Sequence, residues 1–208
     1  MTCETKFING LKFETMKTKI FVLIAFSLAT VVNTHSQSSQ NTIKVDARTS
    51  KPYHHLHIRG EMNVKLIQKE MPGVSVEGTS YQTGNTVTML RNDTLFIYQT
   101  NIRKSDSKTL VTVNVDELVS LEVTGRTRVN CSGLVNTDYL TIRASSGAQI
   151  KLDVRALKVN SKATGCGYID VPGSTVNNVE SMDECSTIDS HQLDVLDKKK
   201  TNYLCCNC

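Results

Sequence analysis

The chain has 208 residues, which is enough for one domain or a small pair, and its formal net charge is +4 at pH 7. Removal of the first 36 residues would take away four lysines and two glutamates and lower the net charge to about +2. So balanced a charge argues against nucleic acid as a partner, because nucleic-acid-binding surfaces concentrate Lys and Arg.

The N-terminal segment has the layout of a secretory signal peptide. From Met16 onward two lysines precede an apolar run over residues 20–32, with Thr34 and Ser36 at the −3 and −1 positions of a cleavage site. The apolar run is short for a membrane-spanning helix. We predict a prefix and signal peptide over residues 1–36, translation from Met16, and no stable membrane span after cleavage. An uncleaved anchor is the alternative.

The rest of the chain alternates apolar and polar residues. Residues 37–51 are polar and predict a linker. The runs LHIRG, MNVKL, GVSVEG, NTVTML, TLFIYQ and LVTVNVDEL then follow a period of two, which predicts short strands. Asn92 and Asp93 predict a turn that feeds the next strand. No amphipathic helix is expected, so we predict an all-β domain over residues 52–204 and a Cys-rich tail at 205–208.

From residue 118 the sequence repeats itself at a nearly constant interval. One element is a short strand, in the segments LVSLEV, YLTIRA, ALKVNS, NVESMD and DVLDKK. The second element is the series TGRTRV, SSGAQI, TGCGYI, DECSTI and KTNYLC. The interval is longest between the first two segments and shortest before the last one, as the apolar residues at or near their ends show: Val129, Ile150, Ile169, Ile188 and Leu204.

A strand-based repeat of about twenty residues predicts a single-stranded, right-handed β-solenoid, in which each repeat stacks on the next. Stacking would place Val129, Ile150, Ile169 and Ile188 in one interior ladder. A second interior column would contain Leu121, Ile142 and Val159. An antiparallel β-sandwich is the alternative fold.

The same segments resemble the putative auto-transporter adhesin, head GIN domain family. Residues 53–98 are similar to its opening, with an "I-x-G" strand, a "V-x-L-x-Q" strand, a "P-x-V-x-V-x-G" strand and "N-x-T-L-x-I". LVTVNVDELVSLEVTGRTRV resembles its "V-x-V-x-x-x-x-L-x-x-L-x-V-x-G" segment, and SSGAQIKLDV and TGCGYIDVPG resemble its "S-G-x-x-x-I" repeats. The resemblance covers residues 52–205 and implies an exported bacterial β-solenoid of the Bacteroidetes type, with no catalytic residues to transfer. DECSTI departs from the pattern in lacking glycine.

Cys166 and Cys185 each lie three residues before an isoleucine of the ladder. Stacked repeats would bring their Cα atoms to about 5 Å, within reach of a disulfide. In-register side chains also point in parallel, which favours two stacked thiols that pack as small apolar groups. Both readings stay open. A catalytic thiol is not expected, because no His or Asp recurs at a matching position to act as its base.

Other candidate ligands are incomplete. Cys205, Cys206 and Cys208 offer thiolates to a soft metal but lack a fourth ligand at folded spacing. The alternatives for them are a disulfide to Cys131 or Cys185, a bridge between molecules, or a disordered tail. We therefore predict no metal and no cofactor.

Histidines and carboxylates are equally sparse. His54, His55 and His57 place two imidazoles on one strand face without a third ligand. Asp153 and Asp170 follow the ladder isoleucines at different offsets and are not expected to stack.

The predicted function is therefore an exported, cell-surface or periplasmic binding or scaffold module, adhesin-like and not an enzyme. A polysaccharide-active enzyme on a solenoid face and a periplasmic envelope-assembly factor are the alternatives. The expected partner is a surface glycan or an envelope protein. Hydroxyl-bearing residues in or beside the second element would bind it: Thr124, Thr127, Ser145, Ser146, Thr164, Ser186 and Thr187.

Overall fold

A computed structural model describes residues 44–49, 51–102 and 108–196. The predicted signal peptide, most of the linker, the last predicted repeat from residue 197 onward and Cys205, Cys206 and Cys208 lie outside them. The elements are β1 (Lys44–Thr49), β2 (His55–Arg59), β3 (Met62–Gln68), β4 (Gly73–Gly78), α1 (Ser80–Asn85), β5 (Thr86–Arg91), β6 (Thr94–Gln99), β7 (Thr109–Val115), β8 (Ser120–Thr124), β9 (Arg128–Ser145), β10 (Gln149–Thr164), β11 (Tyr168–Asp170), β12 (Gly173–Met182), β13 (Thr187–Asp189) and β14 (Leu193–Val195).

The fold is all-β, as the alternating sequence predicts. Every apolar–polar run named above contributes a strand, and along most of β10 buried and exposed residues alternate one by one. This follows from the strand geometry, in which successive side chains point to opposite faces. The 14 strands form one continuous sheet, which buries its apolar face in a single core.

The central strands pair in parallel, and their paired residues are separated along the sequence by about the interval of the predicted repeat. β10 lies between β9 on one side and β11 and β12 on the other. Its register to β9 changes once, because the pairing shifts between Lys151 and Asp153. The longer interval between Val129 and Ile150 is therefore confined to the residues before this shift. Beyond the shift the strands follow one another at a constant interval, as the stacked residues Val135, Val154 and Gly173 show.

The predicted second interior column is wrong at its third member. Leu121 pairs with Ile142, but Ile142 pairs with Ser161, while Val159 pairs with Leu140. The interval between paired residues of β9 and β10 beyond the register shift places Ser161, and not Val159, beside Ile142. Ser161 is buried, with 1% of its surface exposed, and its in-register neighbours are Ile142 and Glu180.

The N-terminal strands do not stack in chain order. β2 lies between β6 and β8, and β3 lies between β7 and β9, so the β2–β3 pair is placed between two pairs that follow it in sequence. β4 then runs antiparallel to β7, and β1 antiparallel to β4. β5 and β6 form a hairpin closed by Asn92 and Asp93, both with positive φ, which confirms the predicted turn.

Among the described residues, one short helix interrupts the strands. At the start of α1 the Thr79 side chain accepts from the Gln82 backbone N–H, and the Gln82 side chain accepts from the Thr79 N–H. This reciprocal capping box satisfies two donors that a helix start leaves free. The helix is a short turn that buries only Thr83, so it carries no amphipathic pattern that the sequence could display.

Candidate functional site

The predicted ladder residues lie side by side in the core. Val129 pairs with Ile150, Ile150 with Ile169, and Ile169 with Ile188. Their exposed fractions are 0, 1, 0 and 8% in that order. The slight exposure of Ile188 fits its place on β13, which pairs with β11 alone among the described strands.

Cys166 and Cys185 lie at two successive corners of the stack, which are the turns at 165–167 and 184–186. The structure joins them by a disulfide, with Cα atoms 4.7 Å apart. Cys166 has a φ of 60° and both residues lie outside the paired strands, so the parallel side-chain directions of a pleated strand do not apply to them. Asp183 binds the same corner, where its carboxylate accepts from the Gly165 N–H at 2.6 Å.

Cys131 is a half-buried thiol without a disulfide partner among the described residues. Burial, and secondarily the nearby charge of Asp153, raise the pKa of Cys131 to about 11. The thiolate, which is the nucleophilic form, is therefore disfavoured at neutral pH. This cysteine packs as a small apolar group.

The histidine cluster is held by hydrogen bonds. His54 Nδ1 lies 2.8 Å from Asp93 Oδ2, and His55 Nδ1 lies 2.8 Å from Ser120 Oγ. His55 Nε2 is 3.9 Å from the same Asp93 oxygen, which gives a loose Ser–His–Asp arrangement. The N–H groups of Val119 and Ser120 both donate to the His54 carbonyl, so neither is free to stabilise an oxyanion beside Ser120. Within the described part of the chain, no three His, Cys, Asp or Glu side chains are placed to hold a metal.

Two carboxylates stack in register on neighbouring strands, and Asp153 is not one of them. Asp170 pairs in register with Asp189 on β13, while Asp153 pairs with Leu134. Asp170 binds Lys151 Nζ at 2.7 Å. The backbone N–H and the ring of His191 hold the pKa of Asp189 below its usual value. Glycoside hydrolysis needs one carboxyl with a raised pKa as the acid, whereas the pKa of Asp189 is lowered.

A groove of about 920 Å³ lies on the outer face of β6, β2 and β8. The alternating strands put Phe96 and Tyr98 of β6 on this face, with Leu95 and Ile97 buried beneath them. β2 adds His57 and Arg59. The residues that line the groove are His57, Arg59, Gly60, Glu61, Phe96, Ile97, Tyr98, Gln99, Thr100, Ile102, Thr124, Gly125, Arg126 and Ser146.

Strand register sets the order of these side chains. His57 lies beside Phe96, with ring centroids 5.5 Å apart, and Arg59 lies between Tyr98 and Thr124. Beyond Thr124 the same column continues through Ser145 and Thr164. Neighbouring strands lie about 4.8 Å apart, so the column presents an aromatic ring, a guanidinium and three hydroxyls at regular intervals.

Hydrogen bonds fix the corner end of the groove. Arg126 binds the Glu61 carboxylate through two nitrogens, at 2.9 and 2.5 Å. Gln99 accepts from the Glu61 N–H at 2.8 Å, and Thr124 Oγ1 lies 3.0 Å from Ser145 Oγ. These contacts hold the walls of the groove in place without a bound ligand.

Two of the hydroxyls predicted to bind a partner are structural instead. Thr127 is buried and donates to the Gly60 carbonyl at 2.8 Å. Ser186 is also buried and accepts from the Gly167 N–H at 3.2 Å. Both satisfy backbone groups inside a corner, where water does not reach.

The aromatic groove was not predicted from the sequence, although the sequence carries a signal for it. Phe96 and Tyr98 occupy the polar-facing positions of TLFIYQ, where an alternating strand would place small or charged residues. Large aromatic side chains on the outer face of a strand are typical of binding surfaces.

Comparison with solved structures finds the same fold in bacterial proteins. A putative adhesin from Parabacteroides distasonis ATCC 8503 is 15% identical, with a TM-score of 0.59 over 75% of this chain and 76% of that one. A putative adhesin from Parabacteroides merdae ATCC 43184 is 14% identical, with a TM-score of 0.56 over 75% of each chain. A putative lipid binding protein from Parabacteroides distasonis ATCC 8503 is 17% identical, with a TM-score of 0.55 over 74% of this chain and 76% of that one. At these identities the likeness concerns the fold.

Sequence comparison identifies the family. No curated protein is similar enough in sequence to count as a relative. Across residues 44–49, 51–102 and 108–196, no helix has the length and apolar character that a membrane crossing requires. The family model of the putative auto-transporter adhesin, head GIN domain, matches residues 52–198. This chain belongs to that family.

Proposed function

We propose that this protein is an exported β-solenoid binding module, adhesin-like and without catalysis, that holds a saccharide in the groove on β6, β2 and β8. The observation that carries the proposal is the column of Tyr98, Arg59, Thr124, Ser145 and Thr164 on one outer face. A scaffold role alone does not require aromatic rings beside a guanidinium in a groove of this size.

The chemistry of the groove suits a sugar. A pyranose ring has an apolar C–H face and a rim of hydroxyls. The rings of Phe96 and Tyr98 offer flat apolar surface to the first, and the side chains of Arg59 and Thr124 offer donors and acceptors to the second. The combination of apolar surface with a few placed polar groups is typical of ligand sites.

The solenoid part of the proposal is supported by the parallel register. β9, β10 and β12 pair in parallel one after another, and their paired residues keep one interval over most of their length. Continuation of this geometry through the segment KTNYLC would add one more repeat after β14, and residues 52–204 would then form one domain.

Export is supported by the signal-like segment 16–36 and by the family's description as an auto-transporter adhesin. The proposal places the mature protein in the periplasm or at the cell surface. Intact-mass analysis of the native exported protein is expected to give an N-terminus at Gln37. An N-terminus upstream of Met16 would contradict both the start site and the cleavage.

A glycan array tests the binding function. The protein from Gln37 onward is expected to bind a subset of glycans, and Tyr98→Ala should weaken that binding about tenfold or more, as the loss of an aromatic anchor does. Tyr139→Ala is the matched control, since Tyr139 is 62% exposed and does not line the groove. Binding to phospholipid vesicles with no glycan bound would contradict the proposal and point to a lipid ligand instead.

A further inference from the structure

We propose that the bound saccharide is acidic and that Arg59 binds its carboxylate or sulfate group. This inference rests on the groove being the saccharide site and goes on to name the chemical class of the ligand. It is supported by the charges that face the groove, by the geometry of Arg59, and by the pairing of the strands beneath it.

Arg59 is a cation without a described acidic partner. It is exposed on the outer face of β2, and its two in-register neighbours, Tyr98 and Thr124, are neutral. No hydrogen bond or ion pair joins its side chain to any other residue within the described ranges. A guanidinium has five donors in a planar fork that fits a carboxylate or sulfate with two parallel hydrogen bonds, so Arg59 offers an unfilled anion site.

The other charges at the groove leave that site positive. Glu61 is the one acidic side chain among the lining residues, and Arg126 already neutralises it through two hydrogen bonds. His57 contacts the ring of Phe96 and adds no negative charge. An anion at Arg59 therefore meets no uncompensated carboxylate from the lining residues.

The position of Arg59 also places the anion relative to the sugar ring. Its flanking strands carry the Tyr98 ring on one side and the Thr124 hydroxyl on the other, each one strand spacing away. A saccharide stacked on Tyr98 would thus hold an acid substituent over Arg59 and its hydroxyls over Thr124 and Ser145. Ring stacking and anion binding then occur on neighbouring parts of one ligand.

An acidic peptide fits this face less well. Peptides commonly bind a sheet by adding a strand to a free edge. β6, β2 and β8 are each paired on both sides, so their backbone N–H and carbonyl groups are already used. Recognition here must come from side chains, which favours a ligand that presents ring faces, hydroxyls and an acid group.

Paired glycans test the inference. The array carries uronic-acid oligosaccharides beside their methyl esters and sulfated glycans beside their desulfated forms, so that charge changes while the ring stays the same. The expected result is binding to the acidic member of a pair, with Arg59→Gln weakening it about tenfold and leaving the neutral member unchanged. Arg59→Lys should give an intermediate loss, because the charge remains and the planar fork does not.

Control variants separate this inference from the binding function itself. Arg155→Gln removes an exposed arginine of β10 that does not line the groove and should change nothing. Equal binding of acidic and neutral partners, with Tyr98→Ala still disruptive, would overturn the acidic ligand and keep the saccharide site. If the wild type prefers the acidic member of each pair and Arg59→Gln binds it equally well, the anion is bound by another residue and the role of Arg59 is overturned. If the protein binds no glycan, the saccharide site is overturned as well.

Discussion

At the scale of single residues, the corners of the stack depend on positive φ angles. Gly125, Gly147 and Gly165 have φ values of 89, 79 and 57°, and Ser146 and Cys166 adopt the same left-handed region. Glycine enters that region without steric cost, which explains its recurrence in TGRTRV, SSGAQI and TGCGYI. Gly125 is the most constrained of the three, because a Cβ there would lie 2.6 Å from the Gly60 carbonyl oxygen.

Gly125→Ala should therefore destabilise the protein by about 1–3 kcal/mol, the cost of a strained left-handed residue with a close contact. Gly84→Ala is the matched control, because Gly84 lies in α1 with nothing within 4 Å of the added Cβ. Alanine is the better helix former there and should stabilise by about 0.5–1 kcal/mol. Urea unfolding of both variants measures the difference, and equal effects of the two substitutions would contradict the steric argument.

At the scale of elements, the disulfide joins the turn before β11 to the turn before β13. Cys166 precedes β11 and Cys185 precedes β13, and these short strands are held by pairing with few partners. The Ser186 side chain and the Gly165 N–H both donate to Asp183 at this corner, which keeps the pKa of Asp183 below its usual value. The covalent link thus joins the turns that precede two strands of only three residues each.

Removal of the disulfide should loosen the C-terminal strands first. The sequence separation of 19 residues gives an expected loss of about 3 kcal/mol in the Cys166→Ser/Cys185→Ser variant, from the greater freedom of the unfolded chain. Thermal unfolding with and without reductant measures it. Reductant should lower the midpoint of the wild type and leave the double variant unchanged. A shift of equal size in the double variant would show that another thiol is responsible.

At the scale of the whole molecule, support is strongest in the middle of the stack. β10 is paired along most of its length on both sides, whereas β1 and β14 each have one paired neighbour among the described strands. The buried residues of β10 include Ile150, Leu152, Val154 and Val159, all at most 1% exposed. Local opening costs most free energy where pairing and burial are both complete.

Amide hydrogen exchange should follow this gradient. The slowest exchange is expected at the buried N–H groups of β9 and β10, and faster exchange in β1 and β14, where opening breaks fewer contacts. Mass-spectrometric exchange of the oxidised protein resolves the segments. Uniform protection from β1 to β14 would contradict a gradient and indicate a single cooperative unit.

Local patterns in the sequence predicted the strands and missed some of their partners. The alternation in TLFIYQ and LVTVNV decides which side chains face the core, and Asn92 and Asp93 specify a hairpin turn, because these signals act over a few residues. The place of β2 between β6 and β8 involves partners far along the chain, since His55 pairs with Thr94 and Ser120. The alternation of apolar and polar residues shows which face of the sheet each side chain occupies. It does not show which strand lies beside it.

The sequence by itself determined an all-β chain, because the alternation of apolar and polar residues is set by neighbouring residues along each strand. Only the tertiary structure decided that Ser161 and not Val159 stacks on Ile142, since β10 keeps to β9 beyond the register shift the interval that also pairs Val159 with Leu140. It likewise brought Tyr98, Arg59 and Thr124, which are far apart in sequence, into one column. The arrangement of the groove therefore arises from strand register, a long-range property that the alternation within one strand does not specify.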